Sequence, residues 1–171
     1  MSHPRRFTAA ELRGRVGQEV LVSDWLQVDQ DLINRFADAT GDRQWIHVDE
    51  PRAARESPYG STLAHGFLVL SLIPCLGEAL FTAAGLRLSL NYGLNRVRFV
   101  SPVRANSRLR ARYVLASEVE IHDTLQIIWS VTVDIEGESK PACVAEFITR
   151  WYGDNVTTKR ADPRLDSLSP W

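Results

Sequence analysis

Phe67-Leu68-Val69-Leu70-Ser71-Leu72-Ile73-Pro74-Cys75-Leu76 is apolar nearly all round. A helix of that composition has no broad face for water, so other elements must enclose it. Pro74 lacks an N–H and its ring crowds the carbonyl one turn back, so a kink or an early end is expected there. Candidates to enclose the helix lie downstream. Leu86 to Val100, Ser107 to Glu120, Leu125 to Glu136 and Ala142 to Tyr152 are rich in Val, Ile, Phe, Tyr and Trp, and Ser101-Pro102, His122-Asp123 and Glu136-Gly137-Glu138 separate them. They read as four long antiparallel strands in meander-like order. Upstream, Val20 to Val28 alternates roughly as one more strand. An early strand, an apolar helix and four strands give an α+β chain, and the simplest way to bury the helix is to wrap a curved antiparallel sheet around it.

Length and composition fit one domain. The 171 residues, 44% of them hydrophobic, suffice for a single full core and are too few for two comfortable ones. The expected division is a short N-terminal segment over 1–19, a folded domain over 20–152 and a polar C-terminal arm over 153–171 that contains Pro163 and Pro170 and ends on Trp171. With 20 basic and 21 acidic residues the formal charge is -1, which offers no general attraction to nucleic acid. No apolar run follows Arg5-Arg6 and none reaches membrane-spanning length, so a cytoplasmic protein without a membrane segment is expected. Cys75 and Cys143 sit in apolar surroundings with no CxxC or Cys/His cluster, which reads as two buried, reduced thiols with neither disulfide nor zinc.

The chemistry concentrates just ahead of the apolar helix. Leu32, Ile33, Phe36 and Ala37 recur at helical spacing after Asp29, a residue suited to cap the first turn. Gly41 then ends the helix, because glycine takes the left-handed conformation without steric cost. Asp42 and His47 follow as loop residues, a carboxylate and an imidazole able to hold and polarise one water. By themselves they are more often the residues of a helix stop and a turn than a catalytic pair. Between them and the apolar helix runs a polar connection through Pro51, Arg52, Glu56, Pro58 and Gly60. Gly66 stands at the expected start of the apolar helix, where unpaired N–H groups and the helix dipole favour negative charge. His65 beside it either packs at that helix start or contributes to binding.

Three phrases in order, Ala39-Thr40-Gly41-Asp42-Arg43-Gln44-Trp45-Ile46-His47-Val48-Asp49, Ala64-His65-Gly66-Phe67 and Asn91-Tyr92-Gly93-Leu94-Asn95-Arg96-Val97-Arg98-Phe99, resemble the MaoC-like hydratase/dehydratase family, in its branch similar to nodulation protein N. The resemblance runs from about Val20 to Tyr152. It implies a single hot-dog fold and a lyase that adds water to a trans-2-enoyl thioester to give the (3R)-3-hydroxyacyl thioester, or removes it again. The acyl group would ride on coenzyme A or on an acyl carrier protein. The family's catalytic pair maps onto Asp42 and His47, and its oxyanion-binding amide maps onto Gly66, with His65 adjoining. No metal or redox cofactor is implied; coenzyme A or phosphopantetheine enters only as part of the substrate. A homodimer is expected, with residues of both chains near each acyl tunnel. Two other readings share the fold, an acyl-thioester hydrolase and a non-catalytic acyl-binding or regulatory protein.

Hydration needs a base for the attacking water, an acid for C2 and a donor for the enolate oxygen. Asp42 is the first choice as base, with His47 orienting water and shuttling the proton, and the reverse assignment stays open. The chain departs from its relatives at Gln44-Trp45, where most carry Asn-Pro, so packing of Trp45 must supply the rigidity that proline gives. A serine hydroxyl found in some relatives within the apolar helix falls at Pro74 here, with Ser71 one turn earlier. Asp49 is either a partner that orients His47 or a solvated carboxylate. Tyr92, Asn95 and Arg98 either line a substrate tunnel or close a turn. Arg108, Arg110 and Arg112 alternate along one strand near Arg104, and form either a solvated face or a phosphate-binding edge.

Overall fold

The computed structural model describes residues 7–81, 85–153 and 156–157. Among these residues, seven short helices precede or interrupt a six-stranded antiparallel sheet that does not close on itself. The order is α1 (Ala9–Leu12), β1 (Glu19–Val22), β2 (Leu26–Val28), α2 (Gln30–Thr40), α3 (Trp45–Val48), α4 (Glu50–Glu56), α5 (Gly66–Ser71), α6 (Ile73–Leu76), α7 (Glu78–Phe81), β3 (Leu86–Phe99), β4 (Ser107–Ile121), β5 (Thr124–Ile135) and β6 (Cys143–Gly153). The four long strands fall where β-branched and aromatic residues cluster, as expected.

Strict alternation sets one face of the sheet into the core. Leu109, Ala111, Tyr113 and Leu115 of β4, Leu125, Ile127, Trp129, Val131, Val133 and Ile135 of β5, and Cys143, Ala145, Phe147, Thr149 and Trp151 of β6 are all buried and all odd-numbered. Thr149 earns its buried place by accepting a hydrogen bond from Trp129 Nε1 at 3.0 Å. Against this face lie Leu68 and Val69 of α5 and Ile73 and Leu76 of α6, and the Tyr113 hydroxyl donates to the Ile73 carbonyl. That bond fixes the helical segment to β4. Phe7, Ala9 and Leu12 join the same core ahead of the first strand, on a turn closed by a reciprocal cap between Thr8 and Glu11.

Several expectations are corrected. The stretch Val20 to Val28 is two strands, both paired to β4, because Ser23 breaks the ladder by replacing backbone with side chain: its N–H donates to the Ala111 carbonyl and its Oγ accepts from the Ala111 N–H, each at 2.9 Å. The long strands are not a simple meander. Spatial order runs β1-β4-β5-β6-β3, so β3 pairs with β6 at the far edge. The polar connection is the helix α4, capped by Asp49, whose carboxylate accepts from Arg52 N at 3.0 Å, with Pro51 in its first turn. The apolar helix does break at Pro74, into α5 and α6. Its enclosure is one-sided, since Phe67 is 68% exposed and Ser71 and Cys75 also face outward. Cys75 is therefore an exposed thiol and only Cys143 is buried. An all-apolar pattern says nothing about which side meets the sheet. Of the C-terminal arm, Gly153 ends β6 and Val156 is buried, whereas Trp171 and the rest after 157 lie outside the described residues.

Candidate active site

Asp29 accepts from Leu32 N at 2.8 Å to start α2, and Gly41 ends it with φ 77°. That left-handed glycine turns the chain so that Asp42 leaves the helical face with its side chain 57% exposed. His47 is not on an open loop. It sits on the single turn α3, whose main chain is tied to its surroundings: the Gln30 side-chain amide donates to the His47 carbonyl at 2.8 Å, and Leu63 N donates to the Ile46 carbonyl at 2.9 Å. Thr62 in turn donates to the Gln30 amide oxygen.

The His47 ring is oriented by backbone. Its Nδ1–H donates to the Leu63 carbonyl at 2.7 Å, which leaves Nε2 with a lone pair as the reactive edge. Burial lowers its pKa from the ordinary 6.5; the Leu63 hydrogen bond opposes that shift, the neighbouring His65 adds to it, and Asp42 opposes it again. The neutral imidazole is thus favoured near pH 7. His65 is buried directly behind, stacked on His47 with ring centroids 3.7 Å apart and planes 26° apart. Its Nε2–H donates to the main-chain carbonyl of Asp42 at 2.9 Å and lies 3.9 Å from the Asp42 carboxylate.

Asp42, His47 and His65 bring their ligand-type atoms within 4.8 Å of one another. The same three groups are a possible cation site, yet the stacking argues against one ion on both rings. An imidazole nitrogen binds metal in the ring plane at about 2 Å, and two nearly parallel planes this far apart do not meet at such a point. One water spans the gap more naturally. Two hydrogen bonds of about 2.8 Å each reach across that separation between the Asp42 carboxylate and His47.

Gly66 follows His65 and begins α5. A Cβ at this position would come within 2.9 Å of the Phe99 ring, so the backbone here is approached on one side by an aromatic face. The same residue lines a cleft of about 300 Å³ with Ala64, Val69, Phe99 and Val103. Asp42 and His47 are not part of that lining. Gly66 is therefore the junction between an apolar groove and the polar cluster, one residue removed.

Other candidates are placed elsewhere. Asp49 caps α4, and Ser71 returns its hydroxyl to the Phe67 carbonyl at 2.7 Å. Tyr92 lies under the Arg150 guanidinium at 3.6 Å and Arg98 donates to the Val97 carbonyl, both on the exposed edge strand β3. Arg108 pairs with Glu136 at 2.9 Å, and Arg110 and Arg112 converge on Asp134 at 3.4 and 3.0 Å, while Arg104 is exposed. The Trp45 ring is covered by the Arg52 guanidinium at 4.4 Å. Ring stacking by His65 is the feature sequence reasoning missed, although its proximity in the Ala-His-Gly phrase hinted at a role.

The MaoC like domain is matched over residues 11–136, most of the chain. The chain belongs to the MaoC-like family. Among relatives in the family, 3-hydroxyacyl-thioester dehydratase Z of Mycobacterium tuberculosis is 48% identical over 145 residues, covering 84% of this chain and 95% of that one. Nodulation protein N of Rhizobium leguminosarum bv. viciae is likewise 48% identical, over 146 residues that cover 84% of this chain and 90% of the relative. The R-hydratase PhaJ1 from Pseudomonas aeruginosa, 21% identical, shares the MaoC-type hot-dog fold with a TM-score of 0.68 across 87% of this chain and 88% of its own. The dehydratase relative supports a lyase of the hydratase/dehydratase kind.

Proposed function

We propose that this MaoC-like protein reversibly hydrates a trans-2-enoyl thioester to the (3R)-3-hydroxyacyl thioester, with Asp42 and His47 as its catalytic residues. The observation that carries the reading is the His47 ring, whose Nδ1–H is committed to Leu63 and which has a ring nitrogen within 4.8 Å of an Asp42 carboxylate oxygen. Water bound between them gives a proton to His47 Nε2 as its oxygen forms a bond to C3. The C2–C3 π electrons move toward the thioester, whose oxygen becomes an enolate stabilised by the Gly66 amide. The imidazolium then returns the proton to C2, so that one water is added in all and the base is regenerated. Asp42 orients the water and stabilises the imidazolium. That division reverses the roles favoured from sequence, because the Nδ1–H bond to Leu63 leaves the Nε2 lone pair of His47 to accept the proton.

The step as written uses no metal or redox cofactor. Coenzyme A and an acyl carrier protein both present the thioester on a phosphopantetheine arm, and the chemistry at Asp42 and His47 is the same for either. The reading includes a cytoplasmic setting, supported by two unpaired thiols of which Cys75 is exposed; no helix among the described residues is long and apolar enough to cross a membrane. It also includes a homodimer. β3 is an edge strand with no buried residue, it exposes Leu88, Leu90, Tyr92 and Leu94, and Phe67 of α5 adds a further uncovered apolar side chain. A second copy would cover such an edge, and sedimentation that shows only monomer at micromolar concentration would remove the dimer.

Mixing the protein with crotonyl-CoA, while following enoyl absorbance and free thiol together, tests the reaction. Loss of absorbance without thiol is expected. Thiol release would instead identify a hydrolase, and silence with short and long enoyl chains alike would leave the acyl-binding reading in its place.

A further inference from the structure

His65 is 3% exposed and touches both members of the water-handling pair. Its Nε2–H holds the Asp42 carbonyl at 2.9 Å, whereas the Asp42 N–H has only a long contact, 3.4 Å, to Thr40 Oγ1. The firmer tether on the turn after Gly41 is thus His65. Its ring also backs His47 at 3.7 Å, and Phe36 of α2 packs against it with centroids 5.1 Å apart. The other nitrogen, Nδ1, is buried without a hydrogen-bond partner among the described residues. A buried acceptor left unpaired is unfavourable, and phenylalanine would fill the same space without it. The polar edge on Asp42 explains why an imidazole stands there. Glutamine could donate to that carbonyl but could not stack; phenylalanine could stack but not donate.

We propose that His65 is a positioning residue of the hydration site: one edge fixes the Asp42 main chain and its face fixes the His47 ring, so the two reacting side chains keep one separation. The proposal rests on the hydratase reading only for the reaction that it serves. Misplacement by about 1 Å can cost about a hundred-fold in rate, which is the scale on which such a clamp acts. Asp42 and His65 are the titratable groups that act on His47.

Nitrogen NMR of labelled histidines, combined with kinetics of His65→Phe and His65→Gln, tests it. In the wild type, the proton is expected on Nε2 of His65 and on Nδ1 of His47. Each folded variant is expected to hydrate crotonyl-CoA with kcat reduced about ten- to a hundred-fold and KM within about two-fold. In His65→Phe the His47 titration is expected to move up, since the aromatic cover stays while the second imidazole is gone. Wild-type kcat in both variants with an unmoved His47 titration would overturn the proposal, as would a wild-type His65 that carries its proton on Nδ1. The wild-type spectra require neither a variant that folds nor any turnover. An inactive wild type would therefore sink the hydratase reading, while the spectra decide the clamp separately.

Discussion

Two polar clusters in this molecule are built on different terms. On β4 and β5, Arg108 meets Glu136 and Arg110 and Arg112 share Asp134, with the Arg108 pair about half exposed and each arginine in contact with a carboxylate. Around α3, His47 and His65 are held by main-chain carbonyls, stacked on each other, and left with nitrogen lone pairs that no described residue satisfies at His65 Nδ1. The first arrangement is what solvent and Coulomb attraction produce on any strand face, and its members are worth little to stability. The second spends fixed backbone geometry to hold groups that would otherwise settle elsewhere. Completed pairs mark surface, and oriented but incomplete ones mark function.

The contrast is broken most directly by removing the reacting groups. Asp42→Asn and His47→Gln should each lower kcat for crotonyl-CoA hydration by about a hundred- to ten-thousand-fold with little change in thermal melting; near-full activity in either variant would strip that residue of its role. Gly66→Ala places a methyl against Phe99. Because Phe99 is half exposed and its ring can swing away, stability should fall by only about 1 kcal/mol, while the altered wall of the cleft costs about ten- to a hundred-fold in turnover. Denaturant melts and kinetics on one preparation separate the two.

Acidity gives a gentler test. His47 has a folded-state pKa below its unfolded value, so its neutral form contributes stability that is fully present above about 6.5 and is lost as pH falls through the lowered folded value. The acid limb of kcat/KM should accordingly lie below 6.5, and a limb above it would mean that His47 is not the group titrating. At the small end, Arg108→Ala and Arg112→Ala should change stability by at most about 0.5–1 kcal/mol and leave KM for crotonyl-CoA alone. A several-fold rise in KM would show that those arginines meet substrate phosphate. Dialysis against EDTA is expected to leave turnover unchanged; lost activity restored by a divalent ion would turn the histidine cluster into a metal site.

Much of this was legible before any coordinates. The four long strands announced themselves because their residues alternate with period two and are β-branched or aromatic, and α2 because Asp29 and Gly41 are chemically suited to its ends. Pro74 broke its helix for the reason proline always does. What stayed hidden depends on partners distant in sequence. Pairing of β3 with β6 has no local signature, the break at Ser23 requires knowing that Ala111 lies opposite, and exposure of Cys75 depends on which side of α6 faces the sheet. At the site, motif order picked out Asp42, His47 and Gly66, but the stacking of His65 on His47 joins residues on separate elements whose approach only the folded chain defines.

The place of β3 beside β6 also bears on how the chain comes to be folded. During synthesis β3 emerges before β4, β5 and β6, yet its only strand neighbour among the described residues is the last of them. For that whole interval β3 lacks its strand partner, with Leu88, Leu90, Tyr92 and Leu94 along its length, while β4 and β5 can already pair through their short turn. Non-local pairing of this kind slows folding and exposes aggregation-prone surface. The nascent protein therefore passes through a vulnerable window that closes only when Cys143–Gly153 has left the ribosome, and cellular chaperones have most reason to hold it there.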